Sequence, residues 1–202
     1  MKIVFDLDGT LICSKRRLYE LFCDLVKSKQ LSFESYWDLK FLGNTNQEIL
    51  KNEFNYSEDE IKSFVDNWML NIENDKYLDM DTLIDGVQKL LFEISKDNDL
   101  YLCTARQSKH QAFKQLEKLG ILHFFKKVFV TEQKKSKKQL LIDSGEVFSN
   151  NDYFVGDTGH DVLTGKELGM TTFAVLSGFM SRAKLKFYSP DFIICNITAL
   201  EI

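Results

Sequence analysis

Proline is almost missing from this 202-residue chain, with Pro190 alone. There is also no low-complexity stretch and no internal repeat, so nothing marks a flexible linker. The four cysteines, Cys13, Cys23, Cys103 and Cys195, never form a C-x-x-C pair. That spacing argues against a disulfide framework and against a zinc site, and the thiols are read as reduced. No segment approaches the roughly eighteen uninterrupted apolar residues that a membrane helix needs. The opening apolar run is broken by Asp6, too short and too acidic for a secretory signal, so a cytoplasmic address is expected. An excess of positive charge is lacking too: the net charge of -4 disfavours a nucleic-acid surface. Six lysines do fall between Lys126 and Lys138, and that run reads as a solvated edge with one exception argued below.

What is present is ordinary globular material, 44% hydrophobic and 28% charged. A chain of this length buries roughly 70% of its unfolded surface, enough for one large domain or a domain with an insertion. Six short apolar runs bounded by turn residues read as buried parallel strands: "KIVF" from 2, "LYLCT" from 100, "KVFV" from 127, "YFVG" from 153, "TTFAV" from 171 and "DFIIC" from 191. Helical patterns separate the later runs and end at Gly120, Gly145 and Gly169, each positioned to close a helix. Alternation of this kind predicts an α/β doubly wound parallel sheet.

Between the first and second strands some eighty residues break the alternation. Leu18, Leu21, Phe22, Leu25 and Val26 form one helical apolar stripe; Ile61, Phe64, Val65, Trp68, Met69 and Ile72 form another. Thr45 with Glu48, and Ser57 with Glu60, are capping-box starts. The expected organisation is an α/β core of residues 1–14 and 85–202, with an all-helical cap of residues 15–84 inserted after the first strand and lying over the sheet's carboxyl edge. The stripe with Trp68 reads as the cap's own core, and "DTLIDG" from 81 as the return hinge.

Ligands of open α/β sheets bind beyond the carboxyl ends of the strands. There the first strand delivers Asp6 and Asp8, the second Thr104, and the run at 153 delivers Asp157 with Asp161 four residues later. Each close pair of carboxylates costs roughly 3 kcal/mol at about 5 Å and an effective dielectric near 20, so something cationic must balance them. An oxygen-ligated dication, most naturally Mg2+, suits carboxylates without a His or Cys cluster, and a phosphate is the substrate group that supplies its remaining ligands. Ser136 with Gln139 reads as a further capping box, which places Lys137 in a first helical turn where positive charge is unfavourable unless an anion lies in front of it. Lys137 is therefore preferred over Lys138, with Lys134 and Lys135 behind it.

"DLDGT" at 6–10, Thr104, Lys137 and "GDTGHD" at 156–161, in this order and at strand ends, resemble the four signatures of the haloacid dehalogenase superfamily in its phosphatase branch. Phosphoglycolate phosphatase and β-phosphoglucomutase relatives, which carry a helical cap, look most similar. The resemblance implies a Rossmann-like core and a small phosphorylated metabolite as partner. Asp6 would be the nucleophile that becomes an aspartyl-phosphate, and Asp8 the general acid and base. Asp6, Asp157 and the main-chain carbonyl of Asp8 would hold Mg2+, while Asp161 would orient metal-bound water or Lys137. Thr104 and Lys137 would bind the transferring group, with Thr10 assisting at the phosphate and at Asp8. Two departures stand out: "KKSKKQLL" lacks the proline many relatives place after the lysine, and Cys13 and Ser14 replace an acidic residue and serine.

Other features are read as bland. "GHDVLTGKE" has the wrong glycine spacing for a P-loop, and "DTLIDG" lacks the oxygen ligands of a calcium loop. His160 is expected to point away from the site, His110 and His123 to be structural, and Arg106 to be solvated rather than to reach a substrate carboxylate. Lys40, Asn44 and Thr45 stand equally as substrate contacts from the cap or as a plain interhelical turn. The expected function is phosphatase action on a small phosphomonoester. The alternatives are a sugar phosphomutase, in which the cap excludes water, and a noncatalytic phospho-acceptor module.

Overall fold

The computed structural model describes residues 1–26 and 31–201. The chain starts in β1 (Lys2–Phe5) and then makes a two-residue strand β2 (Ile12–Cys13) before four helices: α1 (Lys15–Val26), α2 (Phe33–Leu42), α3 (Asn46–Phe54) and α4 (Glu58–Asn71). A single turn, α5 (Asp75–Leu78), leads to β3 (Thr82–Leu83), which returns antiparallel to β2. Next come α6 (Val87–Ile94), β4 (Asp99–Thr104), α7 (Lys109–Lys118), β5 (Lys127–Val130), α8 (Lys137–Asp143) and β6 (Tyr153–Gly156). The chain ends with α9 (Gly159–Glu167), β7 (Thr171–Val175), α10 (Arg182–Lys186) and β8 (Phe192–Ile194). Among the described residues no helix is long and apolar enough to cross a membrane.

The six expected strands form one parallel sheet in the order β5-β4-β1-β6-β7-β8. Period-two alternation sends Ile3, Phe5, Leu100 and Leu102 into a core on one face, and Val4, Tyr101, Cys103 and Phe154 into a core on the other. Helices cover both faces, which is why these strands are apolar throughout. The chain leaves β1 for β4 on one side and later returns to β6 on the other. The crevice above β1 is therefore the switch point where such sheets bind ligands.

The helices between β2 and β3 have their own core of Phe22, Tyr36, Trp37, Ile49, Leu50, Ile61 and Phe64. Thr45 and Ser57 make reciprocal capping boxes with Glu48 and Glu60, and Gly43 closes α2 at φ 100°, a left-handed position that suits glycine. Trp68 packs on Phe64 within this core, while Met69 and Ile72 at the end of the stripe face a cavity above the sheet. The β2–β3 ribbon, which the sequence did not reveal, ties together the two chain crossings between core and helical lobe. The lobe also docks directly: Glu73 accepts hydrogen bonds from the main-chain N–H groups of Gln107 (2.6 Å) and Ser108 (2.8 Å), and Trp37 stacks on Phe179 of the loop after β7.

Candidate active site

β1, β4 and β6 end side by side, so Asp6, Thr104 and Asp157 emerge at adjacent positions, with Lys137 opening α8 and Asp161 in the first turn of α9. Together they line a cavity of about 760 Å³ between sheet and lobe. Oxygens of Asp6, Asp157 and Asp161 lie within 4.8 Å of one another, all three residues buried. Lys137 Nζ bridges two of them, at 2.5 Å from Asp6 Oδ1 and 2.6 Å from Asp161 Oδ1. Asp161 Oδ2 accepts from the Thr158 N–H (3.0 Å) and hydroxyl (2.6 Å), so it is fixed from both sides. Asp157 Oδ2 accepts from the Phe179 N–H at 2.8 Å, while its Oδ1 is buried with no partner.

The loops that hold Asp157 are built around missing side chains. A Cβ on Gly9, which sits at φ 85°, would lie 2.6 Å from Asp157 Oδ2, and one on Gly178 would lie 1.9 Å from it. The glycine of "DLDGT" is thus required both by its left-handed backbone and by the close approach of a carboxylate. Three carboxylates meet a single ammonium here, leaving an excess of two negative charges in a buried space. Burial pushes the Asp6 carboxyl up to about 7, with Lys137 pulling against that shift and Asp161 adding to it. Asp157 is held well above the usual carboxylate range by burial and then by Asp6 and Asp161. Burial would lower the Lys137 ammonium, but Asp161 and Asp6 override it and raise it. An unpaired, fully buried Asp157 oxygen in an under-neutralised, all-oxygen cluster fits a hard dication such as Mg2+.

Asp8 stands apart from this cluster. Its carboxylate is gripped by Arg106, whose Nε lies 2.6 Å from Oδ2 and Nη2 2.9 Å from Oδ1, and by Arg17 Nη2 on Oδ1. Behind them the fully buried Asp81 pairs with both arginines, and Gln115 donates to Asp81 Oδ2 at 2.8 Å. Burial alone would raise Asp8, but the Arg106 and Arg17 guanidiniums reverse this and hold it well below the carboxylate range. The Asp8 side chain is therefore not a member of the acidic cluster, which leaves its main-chain carbonyl as the group it has to offer an ion. Arg106, expected to be solvated, is buried because the sheet edge folds it under α7 against Asp8, Asp81 and Gln115. Arg17 was not singled out from the sequence, yet it stands four residues before the buried Leu21 on the inner face of α1, which was the available signal. Asp81, read only as part of a hinge, carried no signal of its own.

The remaining expected residues fall in several places. Lys137 alone of the lysines 134–138 reaches the acids; Lys134 and Lys135 line the cavity rim, and Lys138 pairs with Glu167. Ser136 accepts from the Gln139 N–H as expected, but the Gln139 side chain donates to Asp143 instead of back to the cap, so the box is half made. Thr10 is fully buried with an unpartnered hydroxyl and does not line the cavity, which places it under the loop rather than beside a phosphate. Lys40, Asn44 and Thr45 do not line the cavity either; Asn44 bonds Leu39 and Thr45 caps α3. His160 is exposed and does line it, contrary to the expectation that it points elsewhere.

With this geometry in hand the class is clear: the profile of the haloacid dehalogenase-like hydrolases matches residues 3–175, and the chain belongs to that family. It is 28% identical over 204 positions to pyrophosphatase PpaX of Oceanobacillus iheyensis, an alignment covering 96% of this chain and 92% of that protein. A haloacid dehalogenase-like family hydrolase from Streptococcus pneumoniae superimposes with a TM-score of 0.75 at 26% identity, over 95% of this chain and 92% of that one. A candidate phosphatase from Clostridium difficile shares the fold with a TM-score of 0.80 at 20% identity, over 98% and 95% of the two chains.

Proposed function

We propose that this hydrolase is a Mg2+-dependent phosphatase of small phosphomonoesters, such as phosphoglycolate or a comparable phosphorylated metabolite, acting through an aspartyl-phosphate on Asp6. The observation that carries this reading is the buried Asp6–Asp157–Asp161 cluster, with two negative charges in excess, beside Lys137 and Thr104 in one cavity. Asp6, Asp157 and Asp161 would hold the ion, which supplies charge neutralisation for the transferring phosphoryl group. An Asp6 oxygen attacks phosphorus as the bond to the leaving oxygen breaks, splitting one hard displacement into two easier ones. Asp8 stands ionised between Arg106 and Arg17, the form that takes a proton from the water attacking phosphorus in the second half; to serve the leaving oxygen in the first half it would have to enter that step protonated. Lys137 keeps Asp6 and Asp161 aligned and, with Thr104, meets the equatorial oxygens. The name of the relative from Oceanobacillus iheyensis keeps a diphosphate among the substrates to test.

The test is hydrolysis of p-nitrophenyl phosphate with Mg2+ and with excess chelator, in the wild type and in Asp6→Asn. Expected is release of inorganic phosphate that needs the metal and drops by about a thousandfold or more in the variant, as for loss of a covalent nucleophile. Absence of turnover with any phosphate ester would end the reading, and intramolecular return of the phosphoryl group to a sugar phosphate would move it to a mutase.

A further inference from the structure

The helical lobe's side of the cavity offers a ligand almost nothing but carbon, and what that selects rests on the phosphatase reading. Among the described residues the lobe lines the cavity with Arg17, Leu18, Met69, Ile72 and Glu73. The two charged members are already engaged. Arg17 is held by Asp8, Asp81 and the Ile72 carbonyl (3.2 Å), and each Glu73 oxygen accepts from a main-chain N–H, of Gln107 or of Ser108. Leu18, Met69 and Ile72 remain, and Phe179, from the loop after β7, adds its ring to the lining. Met69 and Ile72 continue the apolar stripe of α4 but lie past the lobe's core, in which Phe64 and Trp68 pack together. Met69 is 41% exposed, a large apolar side chain turned toward the cavity.

Water against such a surface gains no hydrogen bond, so a ligand that covers it is favoured in proportion to the apolar area it removes from water. A carboxylate or hydroxyl placed there gives up its water partners and finds none in return. The polar side chains at the rim come from the core and make no contrary demand. Lys134 pairs with Glu132 (3.5 Å), Lys135 pairs with Asp143 (2.7 Å), and His160 is exposed. The cavity, at about 760 Å³, has room for a leaving group well beyond two carbons. The geometry points to a leaving group with an apolar body: the phosphate enters among Asp6, Thr104 and Lys137 on the sheet side, and a hydrocarbon group seats against Leu18, Met69 and Ile72 on the lobe side. Met69 and Ile72 are therefore specificity-determining residues. The favoured substrates are phosphomonoesters of alcohols with a sizeable hydrocarbon part, ahead of those of short acids.

Hydrolysis of ethyl, butyl and hexyl phosphate with Mg2+ tests this, because the ester chemistry stays constant along the series and only the apolar length changes. Expected is a kcat/KM that climbs with length by at least about tenfold from ethyl to hexyl, expressed mainly in KM, with a ceiling of roughly fourfold per buried methylene. Phosphoglycolate, which carries a carboxylate on its two-carbon group, should fall at or below ethyl phosphate. The double variant Met69→Ser, Ile72→Ser should flatten the climb, and Met69→Leu, which keeps the apolar bulk, should preserve it. The readout is a ratio within each enzyme, so a loss of folded protein lowers every ester alike and leaves the ratio unmoved. A level series in the wild type, a preference for phosphoglycolate over hexyl phosphate, or a climb that survives in the double variant each overturns the proposal. Failure of the phosphatase reading looks different, since neither these esters nor p-nitrophenyl phosphate would then turn over.

Discussion

Asp6 and Asp8 leave the same strand two positions apart and enter two opposite ionic settings. Asp6 joins Asp157 and Asp161 around a single lysine, and the group is under-neutralised. Asp8 joins Asp81 around Arg17 and Arg106, two acids against two guanidiniums, and that group closes on itself. The same residue type thus ends with its carboxyl pushed up to about 7 in one case and held well below the usual range in the other. The difference teaches where a ligand charge belongs: a buried cluster that balances internally is a brace, while one that does not is waiting for a cation. It also ties the lobe to the chemistry, because Arg17 comes from α1 and Asp81 from the segment that returns to β3, so the brace joins both chain crossings to Asp8.

Neutralising one acid in each cluster should break this symmetry most visibly. Asp81→Asn leaves two buried guanidiniums short of a counter-charge and should lower stability by about 3 kcal/mol, a fall of roughly 10 °C in melting temperature for a chain of this size. Asp157→Asn relieves repulsion in the open cluster and should leave the metal-free melting temperature unchanged or higher; a fall matching that of Asp81→Asn, read by calorimetry, would erase the distinction. Mg2+ should then stabilise the wild type by about 2.7 kcal/mol at a hundredfold excess over its dissociation constant, and leave Asp157→Asn nearly untouched.

The smallest effect calibrates both clusters against an ion pair at the far edge of the sheet. Glu146 accepts from Lys127 (2.7 Å) and pairs with Lys2 (3.4 Å). The Lys127 bond is the main reason its carboxyl is lowered to about 2. A lowered folded value means its stabilisation is complete above the unfolded value near 4.5 and is lost as pH falls from there toward 2. Glu146→Gln should flatten the acid limb of the stability profile only slightly, since the pair is partly solvated. A slope change as large as that of a core acid would mean the edge is more buried than it stands.

Much of the sheet was legible because each strand is buried on both faces and reads as an apolar run ending in a polar group. The polar residues at those ends were legible for the same reason, since Asp6, Thr104 and Asp157 are simply where each apolar run stops. Lys137 was legible as a positive charge placed where a helix start disfavours it. The β2–β3 ribbon was not, because two residues are too few for any periodicity to show. Arg106 was misread because a long charged side chain is solvated by default, and only a partner distant in sequence changes that, while Asp81, read as part of the return hinge, carried no signal of its own.

Order along the chain therefore determined that three carboxylates and a lysine stand at strand and helix ends in an α/β protein. It did not determine which acid finds which cation. That pairing spans separations of up to 131 residues between Lys137 and Asp6 and 98 between Arg106 and Asp8. Only the folded sheet, with β1 between β4 and β6, brings those charges into a space dry enough for each missing or matching partner to count.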